Sequence, residues 1–236
     1  MTTNIPNVPF TEVAKRIRRF WRPLEYNPHK GLFAPTRSGK SYLIRHGLLS
    51  IVPNARVVLI DVKPGGEPTW NGWGNQVTEL SPGFGRGPDG TYNYRVMLLP
   101  GHEQGKNQIE RILDMILSEG ETIVVMDDSR KITAHAPQLG FSNHVDELIT
   151  DGAGIGISVI LAANSTVWST PTLRDGCGMY LMGHASNEVQ RAEYGKIIGL
   201  PKDKRNVFST LPRRHFLYSD QYDGDLKLAI TYLPKE

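Results

Sequence analysis

Cysteine occurs once in these 236 residues, at Cys177, so no disulfide can form within the chain. The histidines are scattered and no Cys/His cluster has zinc spacing, which excludes a small zinc-organised fold and suits a reducing cytoplasm. Long apolar runs are missing too. None approaches the roughly 20 residues that cross a bilayer, and the polar start Met1-Thr2-Thr3-Asn4 lacks a secretory core. The expectation is a soluble cytoplasmic protein with no membrane-spanning segment. Charge of one sign is scarce: 27 Lys and Arg against 24 Asp and Glu leave a net +3, a weak pointer to nucleic acid. The local distribution says more. Lys15-Arg16-Ile17-Arg18-Arg19-Phe20-Trp21-Arg22 gathers five cations and two aromatics. It fits a helix that tracks phosphates or contacts a subunit, and equally a solvated helix face whose Ile17, Phe20 and Trp21 dock on the core.

At 39% hydrophobic content the chain can bury one substantial core, read here as a single domain over 1–236. Within it, 1–28 is a basic helical segment, 29–200 a nucleotide-binding core and 201–236 a C-terminal extension. The core carries the most specific pattern. Ala34-Pro35-Thr36-Arg37-Ser38-Gly39-Lys40-Ser41 lies between the apolar run Gly31-Leu32-Phe33 and the helical pattern that begins at Tyr42-Leu43-Ile44. A strand-to-helix turn of this kind aims successive backbone N–H groups at an anion, which the positive end of the helix also favours. Lys40 then reaches the β- and γ-phosphates of ATP and the Ser41 hydroxyl ligates Mg²⁺. Thr36, Arg37, Ser38, Gly39, Lys40, Ser41 and Tyr42 are the expected nucleotide-binding residues. The first position departs from the usual glycine, because Ala34 stands there.

A second half of the site follows. Thr122-Ile123-Val124-Val125-Met126 is a continuous apolar run ending in Asp127-Asp128, which predicts a buried parallel strand delivering carboxylates to its C-terminal edge. Asp127 and Ser41 are the expected metal ligands; Asp128 is placed to activate water, or else to cap a helix. Further strands are predicted at Arg56–Asp61, Tyr94–Leu99, Gly156–Asn164 and Gly178–Gly183, with a short one near Gln76–Leu80. Ile109, Ile112, Leu113, Ile116 and Leu117 predict a helix with one buried face. Phe216–Tyr218 and Leu226–Tyr232 predict a closing hairpin turned at 222–225. Strands alternating with helices give an α/β fold, a mostly parallel sheet with helices on both faces.

The segments Ala34–Ser41, Asp61-Val62-Lys63-Pro64-Gly65-Gly66-Glu67 and Leu161-Ala162-Ala163-Asn164 together resemble the phosphate loop, second-strand segment and sensing strand of the FtsK/HerA superfamily of RecA-like P-loop ATPases. Compact length and the Asp-Asp pair, where that superfamily usually has Asp-Glu, look most like its viral and phage genome-packaging members. The resemblance implies an ATP-hydrolysing translocase of double-stranded DNA, working as a hexameric or pentameric ring, with a capsid vertex or portal as partner and, for a virus, the host cytoplasm as setting. It implies that Asn164 senses the γ-phosphate, although a strand-end Asn also closes turns. It also implies an arginine acting across the ring, with Arg174 the first candidate and Arg191 the second. DNA contacts are expected from Ser129–His135 or from the 64–92 loop with Trp70, Trp73 and Arg86, where the plain alternative is tryptophans packed on the core. A conjugative or FtsK-like motor, a small-molecule kinase and an ATP-dependent assembly switch remain open alternatives.

Overall fold

Runs that are apolar at every position, such as Val57-Val58-Leu59-Ile60 and Ile123-Val124-Val125-Met126, fold as strands covered on both faces. The computed structural model describes residues 5–22, 29–63, 66–85, 92–97, 99, 102–127, 142–166, 171–224 and 227–233, with backbone alone at 102, 103, 142, 143, 173 and 174. Its strands are β1 (Asn7–Pro9), β2 (Lys30–Phe33), β3 (Arg56–Asp61), β4 (Asn75–Val77), β5 (Asn93–Met97), β6 (Thr122–Asp127), β7 (Ser158–Ala163), β8 (Met179–Met182), β9 (His215–Asp220) and β10 (Lys227–Tyr232). They make one sheet in the order β1-β10-β9-β8-β2-β7-β6-β3-β5-β4. Only the pairings of β9, with β8 and with β10, are antiparallel, so β9 alone runs against the rest. The expected hairpin is therefore present, and β1 extends it by pairing parallel to β10, which the sequence did not suggest.

The helices are α1 (Phe10–Phe20), α2 (Lys40–Leu43), α3 (His102–Glu119), α4 (Ser142–Thr150), α5 (Pro171–Asp175), α6 (Glu188–Ile197) and α7 (Val207–Thr210). Because strand side chains alternate, each buried strand feeds two cores. Val58, Ile60, Val124, Met126, Val159 and Leu161 pack with Ile109, Ile112, Leu113 and Ile116 of α3 and with Val145 and Leu148 of α4. Val57, Leu59, Ile123, Val125, Ile160 and Ala162 pack on the other face with Phe10, Val13 and Ile17 of α1 and with Leu43, Ile44 and Leu48. Beyond α2 the helix widens into a π-turn over Ile44–Leu48 and tightens to 3₁₀ over Leu49–Ile51. The short strand expected near 76–80 forms at Asn75–Val77.

The basic N-terminal segment resolves toward the docking reading. Ile17, Phe20 and Trp21 are buried, and the Trp21 indole N–H donates to Ser158 Oγ at 3.0 Å. Arg16 is also used inside the fold. Its Nη2 and Nε reach Asp220 at 2.6 and 2.8 Å and its Nη1 reaches Asp223 at 3.1 Å, fastening α1 to the hairpin. Lys15 pairs with Glu12 on the surface. Arg18 and Arg19 remain exposed.

Just before β2, His29 accepts the Val159 N–H at 3.1 Å on Nδ1. Burial, reinforced by the neighbouring Lys30 charge and opposed by a backbone hydrogen bond at Ile149, lowers its pKa to about 4. Lys30 is itself fully buried, its ammonium 3.5 Å from the Trp21 ring centroid, and burial lowers its pKa as well. Since the unfolded chain takes up the His29 proton first, stability should fall as pH drops from about 6.5 to about 4, by up to about 3 kcal/mol. Urea midpoints at pH 7 and pH 4.5 test this: His29→Gln should lose less than the wild type on acidification, and equal losses would assign acid sensitivity to other groups.

Candidate phosphate-binding site

The loop between β2 and α2 turns on one glycine. Gly39 is the N-cap of α2 and has φ +94°, a left-handed conformation that costs a side-chain-bearing residue about 1 kcal/mol or more. Ala34, standing where glycine is usual, is fully buried with no positive φ, and the space it needs comes from the next strand. A Cβ built on Gly183, just past β8, would lie 2.5 Å from the Ala34 Cβ. Gly183→Ala should therefore cost about 1–3 kcal/mol by overpacking, and Ala34→Gly in the same chain should recover most of it. Thermal melts of the two single variants and the double variant read this coupling; strictly additive effects would overturn it.

Lys40 is nearly buried and its ammonium donates to the carbonyls of Ala34 at 2.6 Å and Pro35 at 3.1 Å and to Asn164 Oδ1 at 3.0 Å. Asn164 follows β7, so its side chain reaches the phosphate loop instead of closing its own turn. Ser38 Oγ is buried in the loop with no partner among the described residues. Asp127 ends β6, two strands from β2, and is 6% exposed. Its Oδ2 accepts the Trp70 indole N–H at 2.8 Å, which fixes the carboxylate plane. Trp70 is fully buried and meets Trp73 edge-on at 5.1 Å. Trp70 thus follows the alternative of a tryptophan packed on the core, where its indole supports a carboxylate and cannot face a DNA strand, while Trp73 is half-buried.

A buried ion pair organises the neighbouring wall. Arg95 Nη2 and Nε donate to Asp61 Oδ2 at 2.7 and 3.0 Å, and Arg95 also bonds the carbonyls of Glu67 and Trp70 at 3.1 and 2.9 Å. Asp61 in turn accepts the backbone N–H groups of Lys63 and Glu67 at 3.2 and 2.9 Å. Lys63 and Glu67 are both held on this carboxylate, and Gly66 passes so close that an added Cβ would lie 2.3 Å from Arg95 Nη2. Lys63 and Glu67 then pair side by side at the cleft. Burial works against ionised Glu67, but the Lys63 bond and charge hold its pKa below the usual carboxylate value.

These walls enclose a cleft of about 490 Å³ lined by Thr36, Arg37, Ser38, Gly39, Lys40, Ser41 and Tyr42 of the loop and by Lys63, Glu67, Thr69, Asp127, Asn164, Arg213 and Arg214. Every expected nucleotide-binding residue lines it, as do Asp127 and Asn164. Asp128, Arg86 and Ser129–His135 lie outside the described residues, and so does the Arg174 side chain. Arg191, the second arginine candidate, donates to the Ser186 carbonyl of its own chain. Lys63, Glu67, Thr69, Arg213 and Arg214 were given no site role by the sequence. The Asp61–Glu67 resemblance was the available signal for the first two, while Arg213-Arg214 read only as a lead-in to a strand.

The donor set fits Mg²⁺ bound with a nucleotide. A hydroxyl at Ser41 and one carboxylate at Asp127 supply hard oxygen ligands, and Mg²⁺ needs no more from protein when phosphates and water complete its shell. Among the described residues no group of three or more His, Cys, Asp or Glu could hold a metal unaided.

A phosphate loop on a central strand, one intervening strand, and then an acid-bearing strand in a mostly parallel open sheet define the RecA-like P-loop NTPase fold. Solved structures share it. The genome packaging NTPase B204 from Sulfolobus turreted icosahedral virus 2, in complex with ATP-gammaS, superposes with a TM-score of 0.66 at 17% identity, over 87% of this chain and 98% of that one. VirB4 of Thermoanaerobacter pseudethanolicus gives 0.66 at 10% identity, over 89% and 90%. Thermomonospora curvata EccC (ATPases 2 and 3) gives 0.58 at 15%, over 90% of this chain and 39% of that one. At these identities the likeness is one of fold, and it accords with the FtsK/HerA-type resemblance of the motifs. No family model matches the sequence, and no curated protein does.

Proposed function

We propose that the chain is an ATPase that moves double-stranded DNA without reading its sequence, working as a hexameric or pentameric ring and packaging a viral or phage genome, with a capsid vertex or portal as docking partner in the host cytoplasm. The observation that carries the reading is the convergence of Lys40 and Ser41 of α2, Asp127 at the end of β6 and Asn164 just after β7, three separate stretches of chain, on one cleft of about 490 Å³. The near-coextensive match to B204, a genome packaging NTPase, supports the packaging reading, and VirB4 matches over nearly as much of both chains.

In this reading the loop amides and Lys40 bind the β- and γ-phosphates, and Asn164 keeps the Lys40 ammonium aimed at the γ end. Ser41 and Asp127 would hold Mg²⁺, which would supply positive charge against the developing charge of the transferred phosphoryl group. Asp128 is proposed to take a proton from water as its oxygen bonds the γ-phosphorus; the bond to the ADP oxygen breaks and inorganic phosphate leaves. Trp70 prevents Asp127 from rotating out of register. Arg174 of a neighbouring copy is proposed to complete the site, and Ser129–His135 to follow hydrolysis with contacts to the DNA backbone.

The test is ATP turnover by the purified chain with and without double-stranded DNA, at two salt concentrations and with a chelator. Turnover that rises with DNA, fades with salt and stops on chelation supports a motor gripping phosphates. Turnover indifferent to DNA at every salt would remove the translocase reading and leave an ATPase switch.

A further inference from the structure

We propose that Arg213 and Arg214 form a second, cis-acting anion wall that grips the α-phosphate and sugar end of the nucleotide, opposite the wall that handles the γ-phosphate; this rests on the ATPase reading above.

Sheet order separates the two walls. The phosphate loop follows β2; β7 and then β6 lie on one side, carrying Asn164 and Asp127, while β8 and then β9 lie on the other. Lys40 leans toward Asn164, so the γ-phosphate and its metal belong on the β7–β6 side. Arg213 and Arg214 enter from the opposite side, immediately before β9. Because β9 alone runs antiparallel, its first residues reach the same edge of the sheet as the C-terminal ends of the parallel strands. That reversal brings a segment 176 residues away in sequence onto the loop: Arg213 Nε donates to the Arg37 carbonyl at 3.2 Å. Arg214 lies over the loop's glycine, its Cγ 3.4 Å from where a Gly39 Cβ would be.

Backbone conformation points the same way. Only three described non-glycine residues have positive φ, and two of them, Arg37 (+62°) and Arg214 (+67°), line this cleft. Left-handed conformation at a long, unbranched side chain is unfavourable and persists where the surroundings require it, commonly around bound ligands. Here both residues carry their guanidinium side chains in the lining of the cleft. Arg37, Lys40, Lys63, Arg213 and Arg214 give the cleft five cations against the two carboxylates Glu67 and Asp127. A planar guanidinium suits a phosphate bidentately and can stack on a flat base, so an arginine wall fits a nucleoside monophosphate moiety better than a lone ammonium would.

The decisive experiment is calorimetric binding of AMP, ADP and ATPγS to the full chain and to Arg213→Ala, Arg214→Ala, Arg214→Lys and Arg214→Gly. The two alanine variants should each weaken all three nucleotides by a similar factor, about tenfold or more, because the shared moiety is the one gripped. Arg214→Lys should recover part of this. Arg214→Gly relieves the backbone yet removes the side chain, so its melting temperature should equal or exceed that of the wild type while its affinity stays low; a purely structural role would move both together or neither. Wild-type affinities in all variants would overturn the clamp, and so would loss of ATPγS binding with AMP binding intact, which would place the arginines at the γ-phosphate. A wild-type chain that binds none of the three nucleotides would overturn the ATPase reading itself, and the clamp with it.

Discussion

Lys40→Ala will abolish ATP turnover, with a fall of at least about 10²–10³-fold, the scale on which a single preorganised charge donor at a reacting centre contributes. The ammonium donates to the Ala34 and Pro35 carbonyls of the loop and to Asn164 Oδ1, which hold its charge at the cleft. Nucleotide affinity should fall as well, since the same charge meets the ground-state phosphates. The fold should survive, because Lys40 lines the cleft and the space its side chain vacates can admit water to the freed carbonyls of Ala34 and Pro35. Steady-state turnover alongside a thermal melt separates these effects. Turnover close to wild type would sink the assignment of this cleft as the hydrolytic site; a collapsed melt would show that Lys40 also supports the loop's structure.

Arg95→Met will destabilise the chain by about 3–5 kcal/mol, because it strands the Asp61 carboxylate in the interior without its countercharge. Both side chains are almost fully buried, 5% and 3% exposed, so solvent cannot take over the lost interaction. The damage should spread to the cleft. Arg95 also ties down the carbonyls of Glu67 and Trp70, and Trp70 orients Asp127, so a loosened segment should raise the Mg²⁺ concentration needed for turnover. A second substitution, Asp61→Leu, should restore much of the stability by removing the stranded charge, yet leave turnover impaired because the Lys63 and Glu67 amides lose their anchor. Urea denaturation and Mg²⁺ titration of turnover for the single and double variants test both halves. A double variant no more stable than Arg95→Met would show that Asp61 acts chiefly as the backbone anchor.

The parts of this molecule that were legible in the sequence share a local cause. A buried parallel strand must be apolar on both faces, so Arg56–Asp61, Thr122–Asp127 and Gly156–Asn164 announce themselves without knowledge of their neighbours. The phosphate loop is similarly local, because its amides and the helix that follows are consecutive in the chain. Trp70 was left open between DNA and the core for the converse reason: a Gly/Pro-rich stretch looks like an exposed loop, and nothing nearby in sequence tells that its indole meets a carboxylate 57 residues later. The cost of Ala34 was legible, but its remedy at Gly183 lies on another strand.

The sequence by itself determined the alternation of strands and helices, the Gly39-Lys40-Ser41 turn and the acid at the end of β6, since each depends on the periodicity or chemistry of adjacent residues. Only the tertiary structure decided which partners meet at the cleft. Strand order in a sheet is not a local property: it put Asn164 beside Lys40, brought Asp61 and Glu67 to Arg95, and reversed β9 so that Arg213 and Arg214 arrive over a loop far earlier in the chain.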